Sequence, residues 1–125
     1  EICRLQVRKT ARFDENEYIL LLTLKAGEYT GSRVSDVDLF RIRNAMPHLA
    51  ETLKKSLRPG DAVAQFSDSQ YVILLSACTY EGGMLAANRI ISKFYQDHKV
   101  YRNLKIKIHI EKVKTAEHIL NKYSG

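Results

Sequence analysis

The chain has 125 residues, of which 45% are hydrophobic and 27% are charged, and its formal net charge is +6 at pH 7. This composition is typical of one soluble globular domain, and a chain of this length can bury a hydrophobic core. No apolar run approaches the roughly 20 residues that cross a bilayer, so we exclude a membrane-spanning segment and expect a cytoplasmic protein. The positive charge permits an anionic partner, which could be nucleic acid, a nucleotide or an acidic protein.

The cysteines and histidines form no sequence pattern that indicates a metal site or a nucleophilic active site. Cys3 and Cys78 are the two cysteines, and no CxxC motif is present, so we expect free thiols in a reducing compartment. His48, His98 and His118 are far apart in the sequence. We therefore predict neither a bound metal nor a cofactor.

The first half of the chain predicts a helix, a strand and a second helix. Residues 1–13 fit a helix, and the near-continuous apolar run from Tyr18 to Leu24 predicts a strand buried on both faces. After a loop that contains glycine, Ser35 is a candidate N-cap. Pro47 predicts a kink or a restart of the helix that follows. The apolar stripe of this helix consists of Leu39, Ile42, Met46, Leu49, Leu53 and Leu57.

The second half predicts a β-hairpin, a helix and a final strand. The run from Asp61 to Phe66 and the apolar run from Tyr71 are separated by a polar turn. A helix then follows through about His98, and Leu104 to Val113 alternates between apolar and polar residues like a strand with one buried face. The turn consists of Ser67, Asp68 and Ser69, and the apolar face of the helix consists of Met84, Ala87, Ile91 and Phe94.

The order of these elements predicts an α+β fold, a ferredoxin-like βαββαβ sandwich with an extra N-terminal helix. We expect a single domain with an N-terminal helix at residues 1–13, a core at 18–113 and a tail at 114–125, cut from a longer protein. The first and third strands should lie at the centre of the sheet. Because their residues look apolar on both faces, the N-terminal helix or a partner subunit should cover the face without helices.

The spacing of the elements resembles that of the GGDEF, or diguanylate cyclase (DGC), domain. The shared features are an apolar first strand, a long helix, the sequence Leu57-Arg58-x-x-Asp61, a five-residue hairpin tip and an apolar third strand. The resemblance covers about residues 18–113, and it implies a fold of the nucleotide-cyclase type.

The resemblance also places the family's active-site motif on this chain. The Gly-Gly-Asp/Glu-Glu-Phe tip corresponds to Ser67, Asp68, Ser69, Gln70 and Tyr71, and the first strand's Asp-x-Asp metal ligands correspond to Thr23 and Lys25. A hydroxyl and an ammonium group cannot replace the carboxylates that Mg²⁺ requires. These substitutions predict a degenerate domain that is not an enzyme.

One motif of the family is retained. Arg58 and Asp61 match the Arg-x-x-Asp pattern that binds cyclic di-GMP in the family, five residues before the tip. An Arg at the end of a helix followed by a Pro-Gly-Asp turn also has a purely structural explanation. Both interpretations remain open at the level of sequence.

We therefore predict a non-catalytic sensory, regulatory or protein-interaction module of a bacterial signalling or transcription-regulating protein. The tip and the LLSACTYEGG stretch after it also resemble the C-terminal region of transcriptional activators of the antibiotic-regulatory (SARP/BTAD) type. The expected partners are other domains of the same protein, a protein partner or a second copy of the chain. A cyclic di-GMP receptor is the first alternative.

A nucleic-acid-binding ferredoxin-like domain is the second alternative. Lys105, Lys107 and His109 form a basic stripe on the last strand, but such a stripe is more often the solvated side of an edge strand. The RNP1 pattern of RNA-recognition motifs is missing, and the central strands carry Ile, Leu and Val where stacking rings would be needed. We therefore do not expect direct contact with nucleic acid.

Overall fold

The computed structural model describes residues 17–26 and 35–113. Its elements, in chain order, are β1 (Tyr18–Lys25), α1 (Asp36–Ser56), β2 (Ala62–Ser67), β3 (Gln70–Leu75), α2 (Tyr80–Asp97), a short 3-10 turn (Lys99–Tyr101) and β4 (Lys105–Lys112). This is the predicted strand and helix order. The N-terminal helix at 1–13, the tail at 114–125 and Cys3 lie outside the described residues.

The strands form an antiparallel sheet in the order β2-β3-β1-β4. β1 pairs with β3 from Tyr18 opposite Leu75 to Thr23 opposite Gln70, and β1 pairs with β4 along its whole length. The prediction that the first and third strands lie at the centre is confirmed, and β4 is an edge strand. With α1 and α2, this arrangement is the predicted α+β sandwich.

Both helices pack on one face of the sheet, and the main core lies between the helices and this face. Alternate residues of β1, Leu20, Leu22 and Leu24, face this core because side chains of a strand alternate between its two faces. The two helices contribute buried side chains at helical spacing: Ile42, Ala45, Met46, Leu49 and Leu53 from α1, and Ala87, Ile90 and Phe94 from α2.

The helices begin where the sequence predicts and differ from the prediction in detail. Ser35 is the N-cap of α1, and its hydroxyl accepts a hydrogen bond from the backbone N–H of Asp38 at 3.1 Å. α1 then runs through Pro47 as one helix instead of restarting. Leu39, in the first turn of α1, belongs to the predicted apolar stripe but is 42% exposed. Of the two adjacent isoleucines of α2, Ile90 is buried, whereas the sequence predicts Ile91 on the apolar face.

The second face of the sheet holds a smaller apolar cluster. Ile19, Val72, Leu74 and Val113 are each at most 5% exposed there. The strands β1 and β3 are therefore buried on both faces, as their continuous apolar runs predicted. The predicted N-terminal helix that would cover this face lies outside the described ranges.

Gly83, in the first turn of α2, allows the helix to approach the sheet closely. A Cβ atom on Gly83 would lie 2.6 Å from Cδ1 of Ile110 on β4, which is closer than van der Waals contact allows.

Neither α1 nor α2, the two α-helices within 17–26 and 35–113, is long and apolar enough to cross a membrane.

Candidate functional site

The two groups of predicted site residues lie at opposite ends of the sheet. Thr23 pairs with Gln70, which places the hairpin tip beside the end of β1. Arg58 and Asp61 lie near Ser76, which directly follows the last residue of β3. The distance between the two ends along β3 is five residues, or about 17 Å. They are therefore separate candidate sites.

The hairpin tip is tighter than the sequence predicted. β2 continues through Ser67 and β3 begins at Gln70, so the turn consists of the two residues Asp68 and Ser69 instead of three. The register shifts between Gln65 and Ser67, which is the irregularity of a β-bulge, and bulges change the local twist of a strand. Ser67 therefore belongs to β2, although serine is a residue type that favours turns and the sequence predicts a turn there.

Hydrogen bonds between uncharged groups join the tip to β1. The Gln70 amide donates to the Thr23 hydroxyl at 3.0 Å, and the Ser67 hydroxyl donates to the Gln70 amide oxygen at 2.8 Å. The backbone N–H of Leu24 donates to the carbonyl oxygen of Ser69 at 2.8 Å. The structure thus brings Thr23, Ser67, Ser69 and Gln70 together, and the groups that meet there are hydroxyls and amides.

Tyr71, which the resemblance assigns to the last position of the tip, is a core residue. It is 2% exposed, and its hydroxyl donates a hydrogen bond to the carbonyl oxygen of Met46 at 3.0 Å. Burial raises the pKa of the Tyr71 phenol above its ordinary value. Tyr71 therefore connects β3 to α1 through the core.

A cavity of about 460 Å³ lies beside the tip, on the second face of the sheet. The side chains around it combine an apolar floor with cations: Leu21, Thr23, Lys25, Phe66, Gln70, Lys107 and His109. His109 is paired with Glu111, with 2.9 Å between Nε2 and the carboxylate oxygen. Lys107 and His109 belong to the basic stripe of the edge strand β4, so the stripe borders a recess instead of an even solvated surface.

The carboxylate of Asp61 is buried and accepts hydrogen bonds from the protein backbone. Its side chain is 2% exposed. Oδ2 accepts a hydrogen bond from the backbone N–H of Arg58 at 3.0 Å, and Oδ1 accepts from the backbone N–H of Ser76 at 3.1 Å. Asp61 thereby closes the turn between α1 and β2 and fixes it to the end of β3. This geometry favours the structural interpretation of Asp61.

Arg58 borders the solvent and a second cavity. Its side chain is 55% exposed, and Nη2 donates to the carbonyl oxygen of Ser76 at 2.5 Å. The cavity has a volume of about 330 Å³, and Arg58 and Arg89 both line it. The remaining walls are formed by the end of α1, the start of α2 and the segment before α2, which includes the half-buried free thiol of Cys78.

Arg89 is a site residue that the sequence did not predict. It lies in the middle of α2, 31 positions after Arg58, and no motif links the two arginines. Only the packing of α2 beside the turn that follows α1 brings both arginines to the wall of one cavity. Asp61 accepts a hydrogen bond from the Arg58 backbone N–H at 3.0 Å and lies 3.5 Å from the side-chain Nε of Arg58, so it holds Arg58 beside this cavity.

No protein-family profile matches the sequence, and no curated protein matches it. Among solved structures, the chain is similar to a DGC protein from Thermotoga maritima, with a TM-score of 0.60 and 16% identity over 89% of this chain and 74% of that one. It is also similar to PelD 156-455 from Pseudomonas aeruginosa PA14 in complex with c-di-GMP, with a TM-score of 0.53 and 14% identity over 91% of this chain.

The chain spans 39% of that PelD chain. At 14–16% identity, both likenesses concern the arrangement of helices and strands and not the chemistry of a site. The strand order, the hairpin between the two crossover helices and these structural neighbours agree with one another. The chain therefore has a GGDEF-like fold.

Proposed function

We propose that this domain is a non-catalytic regulatory module with a GGDEF-like fold and not a cyclase. The observation that carries the proposal is the hydrogen bond from the Gln70 amide to the Thr23 hydroxyl at 3.0 Å. It lies where the family resemblance predicts metal-binding carboxylates, so the proposed site has uncharged groups paired with each other.

The chemistry of phosphoryl transfer explains why these groups are insufficient. Mg²⁺ is bound by hard oxygen ligands, usually including carboxylates, and it neutralises charge on the transferring phosphate. Here Thr23 and Ser69 offer hydroxyls, and Lys25 offers a cation that repels the metal. Asp68 is the one carboxylate of the tip, and it is exposed on the turn. A metal–nucleotide complex would lack the ligands that hold it.

The test is a GTP turnover assay with Mg²⁺ and with Mn²⁺, in which product is separated chromatographically. We expect no cyclic di-GMP or pyrophosphate above a protein-free blank, and a known active cyclase assayed in parallel controls for the conditions. Product that increases with protein concentration and is lost in Ser69→Ala or Asp68→Ala would overturn the proposal.

Binding of a cyclic dinucleotide at the Arg58–Arg89 cavity is the second candidate function. Two guanidinium groups on one cavity provide planar donors that suit phosphate oxygens and the guanine edge. The complex of PelD with c-di-GMP supports the choice of this ligand class. In this proposal Arg58 and Arg89 contact the ligand, and the buried Asp61 holds Arg58 in position.

Calorimetric titration of cyclic di-GMP tests this candidate. We expect Arg58→Ala and Arg89→Ala each to weaken binding by at least about tenfold, because each removes a charged hydrogen-bond donor. Arg43→Ala is the matched control, since Arg43 is an exposed arginine on α1 that does not line the cavity. Arg89→Ala is the more informative variant, because Arg58 also donates to Ser76 and supports the turn.

The outcomes separate a receptor from a protein-contact module. Binding that is lost in both cavity variants and kept in Arg43→Ala supports a receptor. The absence of binding to the wild-type chain overturns the receptor but leaves the non-catalytic proposal, and other domains of a longer signalling or transcription-regulating protein then become the partners to test. A bacterial activator of the antibiotic-regulatory type is the proposed parent protein.

A further inference from the structure

Two histidines and a glutamate meet where α1 passes the end of α2. His48 and Glu51 are three residues apart on α1, which places them on one side of the helix, and His98 is the C-cap of α2. One ligand atom from each of the three side chains lies within 4.8 Å of the others. His48 and His98 are 50 positions apart in the sequence, and only the packing of α1 beside α2 brings their rings together.

The two imidazole rings are held in place by aromatic neighbours. Their centroids are 4.7 Å apart, with an interplanar angle of 41°. His48 lies 5.7 Å from the ring of Tyr101, and His98 lies 5.5 Å from the ring of the buried Phe94. Tyr101 belongs to the 3-10 turn after α2. Packing against these rings limits the orientations of both imidazoles, so a metal would not have to order two freely rotating side chains.

The segment after α2 is also fixed to α1. The guanidinium of Arg41 on α1 donates a hydrogen bond to the side-chain oxygen of Asn103. Within α2 itself, the backbone N–H of His98 donates to the carbonyl oxygen of Phe94 at 2.9 Å and fixes the end of that helix. The cluster therefore lies between two elements whose relative position is already set. A bound ion would connect them without a change of fold.

The donor set is suited to zinc. Zn²⁺ binds imidazole nitrogen and carboxylate oxygen at about 2.0–2.2 Å in tetrahedral geometry, so ligand atoms around it are about 3.3 Å apart. The observed limit of 4.8 Å means that no pair of ligand atoms has to approach by more than about 1.5 Å, and rotation of the exposed Glu51 side chain can shorten the two pairs that include it. Two imidazoles and one carboxylate leave a fourth position for water or another ligand.

The electrostatic surroundings also favour a cation. The C-terminal end of a helix carries partial negative charge from its last carbonyl groups. The last turn of α2 contains no basic residue, although Lys99 follows His98 directly, and the Glu51 carboxylate adds negative charge to the cluster. From this geometry we infer that His48, Glu51 and His98 form a Zn²⁺-binding site that joins α1 to the C-terminal end of α2.

The experiment uses the 125-residue chain with its affinity tag removed, treated with a chelator and then freed of it. Zn²⁺ is titrated in competition with a chromophoric chelator, and the bound metal is counted by mass spectrometry. We expect one Zn²⁺ per chain. We also expect the melting temperature to rise by about 10 °C when free zinc is about a hundred times the dissociation constant.

Four variants locate the site. His48→Gln, His98→Gln and Glu51→Gln should each weaken zinc binding at least about tenfold, the lower end of what even outer-shell partners of a metal contribute. His109→Gln is the matched control, because His109 lies on β4 and is paired with Glu111. Glu51 is exposed, so Glu51→Gln should fold normally and keeps the test valid if a histidine variant does not fold.

Two results would overturn the inference. One is the absence of bound zinc when the zinc concentration is about a thousand times the micromolar protein concentration of the assay. The other is zinc binding that persists with unchanged affinity in all three cluster variants, which would place the ion elsewhere. X-ray absorption provides an independent readout, since nitrogen and oxygen ligands alone are expected and a sulfur ligand would indicate a cysteine site. None of these results depends on whether the domain binds a nucleotide.

Discussion

The backbone N–H of Ser76 lies 3.1 Å from Oδ1 of Asp61, although the two residues are 15 positions apart. This contact joins the turn before β2 to the end of β3. Because the other oxygen of the same carboxylate accepts from the backbone N–H of Arg58 at 3.0 Å, one buried side chain satisfies two main-chain donors. The Arg-x-x-Asp motif thus has a structural role regardless of any ligand.

Replacing Asp61 should destabilise the protein. Asp61→Ala leaves the N–H groups of Arg58 and Ser76 without their acceptor, and we expect the free energy of unfolding to fall by about 2–3 kcal/mol. Asp68→Ala removes the same side chain from the exposed hairpin turn and should change it by less than about 0.5 kcal/mol. Urea denaturation of both variants measures the difference, and equal stabilities would contradict the structural role of Asp61.

Gly60 is required by the conformation of the turn that precedes Asp61. Its φ is +98°, and a Cβ atom there would lie 3.2 Å from the Ser76 hydroxyl oxygen. Gly60→Ala should therefore lower the free energy of unfolding by about 1–2 kcal/mol. Gly60→Asn should cost less, because Asn tolerates positive φ better than Ala does. An Ala variant as stable as wild type in thermal unfolding would show that the turn adopts another conformation.

Replacing Ala77 by glycine should raise the free energy of unfolding, whereas replacing Gly60 by alanine should lower it. It is the residue other than glycine with positive φ, +53°, within the described part of the chain, and it is exposed. Ala77→Gly relieves the contact of Cβ with the following carbonyl, which costs about 1–2 kcal/mol, while the added freedom of the unfolded chain removes part of the gain. We expect a net increase of up to about 1 kcal/mol in the free energy of unfolding, and a decrease would contradict it.

The Tyr71 hydroxyl should make stability fall at alkaline pH. Burial raises the pKa of this phenol above 10.0 in the folded protein, so its contribution is complete below pH 10 and is lost as the pH rises through the folded-state pKa. Tyr71→Phe removes the hydrogen bond to Met46 and should cost about 1 kcal/mol at pH 7. The variant should then lose less further stability than wild type between pH 9.5 and 11.

Denaturation curves at several pH values measure this difference. Tyr95 provides an internal reference, because burial also raises the pKa of its phenol and it is present in both proteins. Some alkaline loss should therefore remain in Tyr71→Phe. Parallel pH profiles for wild type and variant would show that Tyr71 ionises in the folded state as readily as in the unfolded chain.

Cys78 should react slowly with thiol reagents. Burial is the largest influence on this thiol and raises its pKa above 9.0, Arg58 lowers it, and Asp61 and Glu17 raise it further. The thiolate is the reactive form, so in a Cys3→Ser background we expect slower modification at pH 8 than for a free cysteine and a pH midpoint above 9.0. Urea should restore the ordinary rate, and a fast reaction in the folded protein would contradict the burial.

The fold was largely determined by local patterns in the sequence. The apolar run of β1, the alternation in β4, the cap at Ser35 and the turn residues around Ser67 and Asp68 each predict an element, and their order permits few topologies. These signals are short-range, because side-chain periodicity follows from the geometry of a single helix or strand. The absence of carboxylates at Thr23, Lys25 and Ser69 is likewise visible in the sequence.

The contacts between distant residues were decided by the tertiary structure alone. Arg58 and Arg89 share a cavity, and His48 and His98 lie side by side, because α1 and α2 pack next to each other on the same face of the sheet. The exposure of Leu39, the burial of Ile90 and the need for glycine at position 83 also depend on how each helix packs against the sheet. Such relationships arise from packing between elements, and no periodicity within one element encodes them.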